Sequence, residues 1–223
     1  MLKSILFFSR KNCEYSTKLK KKLQKLTHRL YHIESHNLKD VLNKKLLPKK
    51  IDYIICFRSY YILDLETLNR ARYAAINFHP SLPKHRGVGG INYALYENDK
   101  YYGSTAHIID HKIDNGDIID VKKIKISKID NLNSLLKKCH SNMFNQASSI
   151  VRQLKENDTY LKNKIKKSKK YKWGKYRNLK ELNDFYEINK DVTNQALKKK
   201  IKSTMVNDYS PYINLYGNRF YLK

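Results

Sequence analysis

Cysteine is scarce in this 223-residue sequence, which holds 3: Cys13, Cys56 and Cys139. They form no C-x-x-C pair and cannot all be bridged, so neither a disulfide framework nor a structural zinc site is supported, and no metal is expected. Long apolar runs are missing as well. Near the start Ile5-Leu6-Phe7-Phe8 is the longest, far short of a signal h-region or of the roughly 20 residues a membrane span needs. With a mean hydropathy of -0.71, the reading is a cytoplasmic protein with no membrane partner. Proline and glycine number only 4 and 7, yet Pro80, Pro83, Gly87, Gly89 and Gly90 crowd into one segment.

Acidic residues are also few, 20 against 46 basic ones, for a net charge of +26. A basic footprint is the usual electrostatic mark of phosphate binding. Its placement argues otherwise. Between Ile51 and Asp110 the cations Arg58, Arg70, Arg72, Lys84, Arg86 and Lys100 are balanced by Asp52, Asp64, Glu66, Glu97, Asp99 and Asp110. The surplus is mostly Lys outside this stretch, in a chain rich in Asn, Ile and Tyr, a mix that coding bias alone produces. We therefore read the charge as bearing on solubility and steering, and expect no nucleic-acid partner.

Apolar patterning gives an α/β chain. Ser4 to Phe8 reads as a buried strand, followed by a helix with Leu19, Leu23 and Leu26 at helical spacing and a short strand from Leu30 to Ile33. Asn37 is placed to cap a helix carrying Leu38, Val41, Leu42 and Leu46, ended by Pro48. Ile51 to Phe57 is nearly continuous in apolar residues, as in a central parallel strand covered on both faces. Leu63 to Ala71 reads as helix, and Ala74 to His79 as strand. Gly87 to Gly90 turns into a helix with Ile91, Ala94 and Leu95. Two strands, Thr105 to Ile109 and Ile118 to Ile126, flank a loop with an Asn-Gly step. A long helix runs from Asn131 to about Leu154, as core or dimer face, so a homodimer stays open. Lys162 to Lys180 reads as linker or exposed hairpin, Asn189 to Met205 as helix, and Tyr212 to Leu215 with Arg219 to Leu222 as a closing β-hairpin. Strands alternating with helices imply an open, mostly parallel sheet with right-handed crossovers. At 223 residues a catalytic domain over 1–158 and an extension over 159–223 are expected.

One segment carries chemistry. Asn77 and His79 lie two positions apart on a strand and so share a face, and Pro80 and Pro83 end the pairing just beyond them. An amide donor and an imidazole at a strand's carboxyl end suit chemistry on a carbonyl. Asp114, from the Asn-Gly loop before the next strand, completes a candidate triad at the sheet edge where ligands collect in open α/β folds. His107 and His111 receive no catalytic role in this reading.

Two motifs, Asn-Phe-His-Pro-Ser-Leu-Pro at 77–83 and Gly-Ser-Thr-Ala-His-Ile-Ile-Asp-His-Lys-Ile-Asp-Asn-Gly-Asp-Ile-Ile at 103–119, resemble the folate-dependent formyltransferases that use N10-formyltetrahydrofolate. With the preceding strand, the resemblance covers about residues 50 to 125. It implies a Rossmann-like α/β formyltransferase domain, here with a small C-terminal helix and hairpin extension. It implies catalysis by Asn77, His79 and Asp114. It also implies that the folate pterin packs against two loops. The first holds Ser59, Tyr60, Tyr61, Ile62 and Leu63, an apolar and aromatic lip suited to a flat heterocycle. The second runs from Asp110 to Asp114 and includes His111 and Ile113.

Within the family, the Gly-rich phosphate loop of glycinamide ribonucleotide transformylases is replaced by Ser9-Arg10-Lys11-Asn12-Cys13. The chain after Leu154 leaves no room for the C-terminal barrel of methionyl-tRNA formyltransferases. Gly-Val-Gly-Gly-Ile-Asn-Tyr-Ala-Leu at 87–95 and the tail at 211–222 are similar to the sugar N-formyltransferases, which formylate a nucleotide-linked 4-amino-4,6-dideoxy sugar, carried by dTDP in this reading, for O-antigen lipopolysaccharide or similar glycans. For such a substrate Lys84, His85 and Arg86 beside Gly89 and Gly90 are expected at the pyrophosphate, with Tyr171, Trp173 and Tyr176 stacking the base. The competing readings are formylation of another amine, aminoacyl-tRNA or glycinamide ribonucleotide, and a non-catalytic RNA-binding relative that uses 162–180 as a single-strand platform.

Overall fold

The computed structural model describes residues 2–156, 159–206 and 209–223. The chain opens with β1 (Leu2–Arg10), α1 (Glu14–Leu26) and β2 (Thr27–Ser35). After a loop come β3 (Ile51–Phe57), α2 (Leu65–Leu68) and β4 (Ala71–His79). Then follow α3 (Gly90–Tyr96), β5 (Tyr101–Ile108), β6 (Ile118–Lys125) and α4 (Leu132–Glu156). The strands form one six-stranded sheet in the order β2-β1-β3-β4-β5-β6. The pairings from β2 through β4 are parallel, whereas β5 and β6 run antiparallel. The fold is the expected α/β one, with a mostly parallel sheet.

Strand alternation sorts the apolar residues into two layers. Ile5, Phe7, Ile55, Phe57, Ile76 and Phe78 face α1 and α4, where Leu19, Leu23, Met143 and Ile150 close on them. Leu6, Phe8, Ile54, Cys56 and Ala75 face the other way, under Leu47 and Leu63. β3 is buried at every position, which accounts for its unbroken apolar run. A third cluster joins Ile91, Leu95 and Tyr102 to Leu135 and Cys139 and fixes α3 beside the sheet edge.

Two helical expectations fail, for local reasons. Residues 37–48 form no α-helix and keep only a 3-10 turn at Lys44–Leu46, with Leu38, Val41 and Leu46 exposed. The polar residues between them divert the backbone: Asn37 accepts from Lys39 N–H at 2.8 Å, Asp40 accepts from His36 N–H, and Asn43 accepts from Lys45 N–H at 3.1 Å. Such side-chain bonds compete with the helical ladder. The helix read over 63–71 shrinks to α2, capped by Asp64, because Ala71 already pairs with Ile51 in the sheet.

The expected boundary at 158 touches residues 157 and 158, which lie outside the described residues. Beyond it, α5 (Tyr160–Ser168), α6 (Leu179–Phe185) and α7 (Asn194–Thr204) precede the antiparallel hairpin β7 (Tyr212–Leu215) and β8 (Asn218–Tyr221). The hairpin was legible: Tyr216 and Gly217 both take positive φ, 51° and 81°, as a tight primed turn requires. The helix read over 189–205 begins later, at the Thr193 cap.

The reading of 162–180 as linker or exposed hairpin is also corrected. After α5 the chain runs as an extended strap along the 83–88 loop. Gly174 N–H donates to Pro83 O at 2.9 Å, Arg177 N–H to Arg86 O at 3.1 Å, and Val88 N–H to Arg177 O at 3.0 Å. Its lysines Lys172 and Lys175 are exposed, whereas Tyr171 and Trp173 are half-buried. Among the described residues, no helix is long and apolar enough to cross a membrane.

Candidate active site

β4 delivers Asn77 and His79 to one face at its carboxyl end, and both line a cavity of about 610 Å³. Asp114 reaches them from the loop between β5 and β6, where its backbone is held at φ 46°, in the left-handed region. A non-glycine residue there stores strain that its surroundings must offset. Several bonds do so. The Arg86 guanidinium donates twice to Ile113 O, at 2.9 and 2.7 Å, just before the aspartate. Asp110 braces the same loop by accepting from Lys112 N–H at 2.9 Å and from the Asn115 amide at 3.0 Å.

The three side chains meet. Asp114 Oδ2 lies 3.2 Å from His79 Nδ1, and Asp114 Oδ1 accepts from Asn77 Nδ2 at 3.4 Å. The other ring nitrogen of His79, Nε2, faces His85 O at 3.1 Å. For Asp114, burial works to raise the carboxyl pKa, but the charges of His79 and His107 and hydrogen bonds from His107 and the Gly87 backbone win, bringing it to about 2. The carboxylate is therefore ionised at neutral pH although nearly all of it is buried.

A fourth polar residue belongs here that the sequence did not mark. His107 stands directly opposite Asn77 across the antiparallel β4/β5 ladder. Its Nδ1 lies 2.7 Å from Ile108 O, and its Nε2 faces both the Asn77 amide at 3.1 Å and Asp114 Oδ1 at 3.3 Å. Only the register of that ladder reveals the pairing, and register between strands about thirty residues apart is not written in either strand alone.

Trp173 closes the site from behind. Its ring meets His107 edge-on at 5.1 Å and His79 at 6.1 Å, and its Nε1 donates to Gly116 O at 2.9 Å. It does not line the cavity and is not positioned to stack a base; Tyr171 stands outside the cavity wall as well. Tyr176, from the same strap, does line it and lies under the Arg86 guanidinium.

The basic run expected at a pyrophosphate is taken up by partners within the protein, and only His85 of the three is buried. Lys84 is paired with Glu97 at 2.8 Å and Asp99 at 2.7 Å. The His85 side chain is wholly buried, with Nε2 donating to Asp99 at 2.7 Å and Nδ1 accepting from Arg177 at 3.1 Å. Burial lowers its pKa more than Asp99 raises it. His85, Glu97 and Asp99 do gather within ligand distance of one another, a grouping that sequence spacing did not suggest. The cations of Lys84 and Arg177 already occupy that cluster. Gly89 and Gly90 line the cavity where the chain turns into α3.

Both loops expected to hold a pterin, 59–63 and 110–114, line the cavity in full. Tyr60 and Tyr61 are half-buried, Leu63 is buried, and Ile62 is 77% exposed, so the rim is apolar and open. Such a wall, next to a few convergent polar groups, suits a flat organic ligand whose reactive end meets Asn77 and His79.

An α/β sheet with an amide, an imidazole and a carboxylate at its carboxyl edge defines a group-transfer site for a carbonyl carbon. The family model described as formyl transferase matches residues 5–151, and the chain belongs to that family. The bifunctional polymyxin resistance protein ArnA of Wigglesworthia glossinidia brevipalpis is 35% identical over 134 residues, covering 58% of this chain and 20% of that protein. The methionyl-tRNA formyltransferase of Clostridium tetani is 39% identical over 84 residues, covering 37% and 26%. The chain thus spans only a fifth to a quarter of those curated relatives. Two solved folds match over most of their length. A sugar N-formyltransferase from Shewanella sp FDAARGOS_354 has a TM-score of 0.69 at 16% identity, covering 99% of this chain and 96% of its own. An N-formyltransferase from Helicobacter canadensis, solved with folinic acid and dTDP-3-aminofucose, has a TM-score of 0.68 at 20% identity, covering 98% and 86%.

Proposed function

We propose that this protein transfers the formyl group of N10-formyltetrahydrofolate to the amine of a nucleotide-linked amino sugar, with a dTDP-linked 4-amino-4,6-dideoxy sugar as the expected acceptor for O-antigen or similar glycans. The observation that carries the reaction class is the convergence of Asn77, His79 and Asp114 on one cavity. Support for the acceptor comes from the likeness in fold to the Helicobacter enzyme, over 98% of this chain and 86% of that one, whose structure holds dTDP-3-aminofucose. The catalytic domain is proposed to be 1–158 with its extension at 159–223, and the protein to work in the cytoplasm.

In this mechanism the neutral amine attacks the formyl carbon, forming a C–N bond while the carbonyl oxygen gains charge. The 3.4 Å contact from Asn77 to Asp114 is long for an amide hydrogen bond. One Asn77 N–H is therefore free to turn toward that oxygen as charge develops. His79, with Nδ1 held by Asp114, takes the ammonium proton at Nε2 once the ring tips that nitrogen away from His85 O toward the amine. The bond from carbon to folate N10 then breaks, and the proton passes to the departing nitrogen, giving tetrahydrofolate and the formamide. Pterin contacts are assigned to the loops 59–63 and 110–114.

The test is to mix the full chain with N10-formyltetrahydrofolate and a panel of nucleotide-linked amino sugars and follow folate absorbance. Turnover of a sugar supports the proposal. Turnover of methionyl-tRNA instead, with every sugar inert, would replace the acceptor and keep the reaction class.

A further inference from the structure

At one end of the same cavity stand two guanidiniums that no carboxylate neutralises. Arg10 is the last residue of β1 and Arg58 the first after β3. Those strands are adjacent and parallel with Ser9 opposite Phe57, so the two arginines leave the sheet side by side. Both line the cavity, together with Tyr60 and His140. The other partly buried arginines are satisfied: Arg70 by Glu66, Arg177 by Glu97, and Arg86 by Ile113 O. Among the described residues, neither Arg10 nor Arg58 has an acidic partner, and Arg10 Nε is buried with no hydrogen-bond partner at all.

These side chains are nevertheless fixed in place. The Arg10 guanidinium stacks on the Tyr60 ring at 4.0 Å, and Arg58 donates to Cys13 Sγ at 3.2 Å while holding φ 57°. Two like charges set together in a partly desolvated pocket repel each other. Burial and the charge of Arg58 both lower the pKa of Arg10. His140 beside them is driven down to about 3, by burial first and then by Arg58 and Arg10, so it remains neutral and adds no positive charge. Such an arrangement is costly unless a ligand supplies the missing negative charge.

We infer that Arg10 and Arg58 form an oxyanion cradle that receives the diphosphate of the acceptor substrate. The inference rests on the proposed nucleotide-linked acceptor and replaces the basic run at 84–86, which is occupied by internal partners. Guanidinium forks match phosphoryl oxygens bidentately. Two of them leaving neighbouring strands call for a compact group carrying at least two charges, as a diphosphate does. The carboxylates of a folate glutamyl tail offer the same chemistry, but a carbon chain holds them apart. Placing the diphosphate here would anchor the nucleotide on the β1/β3 side and extend the sugar toward Asn77 and His79.

The experiment is calorimetric titration of the full chain with thymidine diphosphate, inorganic pyrophosphate and folinic acid, for wild type, Arg10→Gln, Arg58→Gln and Arg58→Lys. Each Gln variant is expected to weaken both diphosphate ligands about ten- to a hundredfold, the loss typical of one charged hydrogen-bonding partner. Folinic acid binding should be unchanged, and Arg58→Lys should fall between wild type and Arg58→Gln. Arg58→Lys keeps the charge and guards against a folding defect, which thermal melting of every variant checks. Unchanged diphosphate affinity in folded Arg10→Gln overturns the inference, as does loss of folinic acid affinity with diphosphate binding intact. Arginine-dependent pyrophosphate binding without turnover of any nucleotide-linked sugar removes the proposed acceptor and leaves the cradle. Undiminished sugar turnover in both Gln variants removes the cradle and leaves the acceptor.

Discussion

Asn77→Ala and His79→Ala should each lower kcat/KM by about two to four orders of magnitude, because each removes one oxyanion donor or proton carrier, and His79→Ala should also lower the melting temperature, because it leaves the buried Asp114 carboxylate without that partner. Steady-state kinetics beside thermal melts would check this. Asp114 makes a separate prediction through its titration. Its folded pKa of about 2 lies below the roughly 3.9 of an unfolded aspartate, so its contribution to stability is present above the unfolded value and is lost as pH falls toward 2. Urea unfolding at pH 6, 4 and 2.5 should show a steeper decline for the wild type than for Asp114→Asn; equal slopes would refute the assignment. At this scale the sequence was informative where the period of a strand sufficed. Asn77 and His79 share a face by alternation alone. Asp114 came from resemblance, and the contacts of His107 depend on a ladder register that no single segment encodes. The pyrophosphate reading of Lys84 and His85 missed Glu97 and Asp99, more than ten residues onward, which pair with the exposed Lys84 and hold His85 buried.

Among the elements, the strap at 169–178 is the one that periodicity could not supply. Interleaved lysines and aromatics have the composition of a linker, and only tertiary contact shows that Trp173 faces the histidines. Trp173→Phe keeps most of the ring and loses the bond to Gly116 O, so a stability loss of about 1 kcal/mol is expected, measurable in denaturant. The fit of the strap to the 83–88 loop is tight. A Cβ on Gly174 would stand 2.3 Å from Lys84 O, and one on Gly87, already at φ +87°, would stand 2.1 Å from Arg177 O. Gly174→Ala should therefore loosen the strap, raising hydrogen exchange at Arg177 and Val88 N–H and lowering activity even though no ligand is touched; wild-type protection at those amides would argue against the strap's role. By contrast, the strands and α4 were readable because burial alone dictates their spacing. The helix over 37–48 was misread because its Asn and Asp side chains, which look like caps, end helical structure almost at every turn they make.

For the whole molecule, the charge of +26 belongs mainly to surface lysine, with the interior of the cavity holding its own separate pair of arginines. Generic RNA should bind weakly at low salt and release by physiological ionic strength, as an unspecific electrostatic contact does. A gel shift that survives there would revive the RNA-binding alternative. The mostly parallel architecture followed from strand and helix alternation, but the antiparallel run of β5 and β6 did not, since a short connection and a long one look alike until the strands are paired. That reversal is what puts His107 beside Asn77. One consequence concerns the order of events at the ribosome. The wall behind the two histidines arrives with Trp173, well after the last strand of the main sheet has been synthesised. A nascent chain halted at the end of α4 would own every residue of the triad and still be open at the rear, so the growing polypeptide should remain inert until the strap with Trp173 has emerged and folded back.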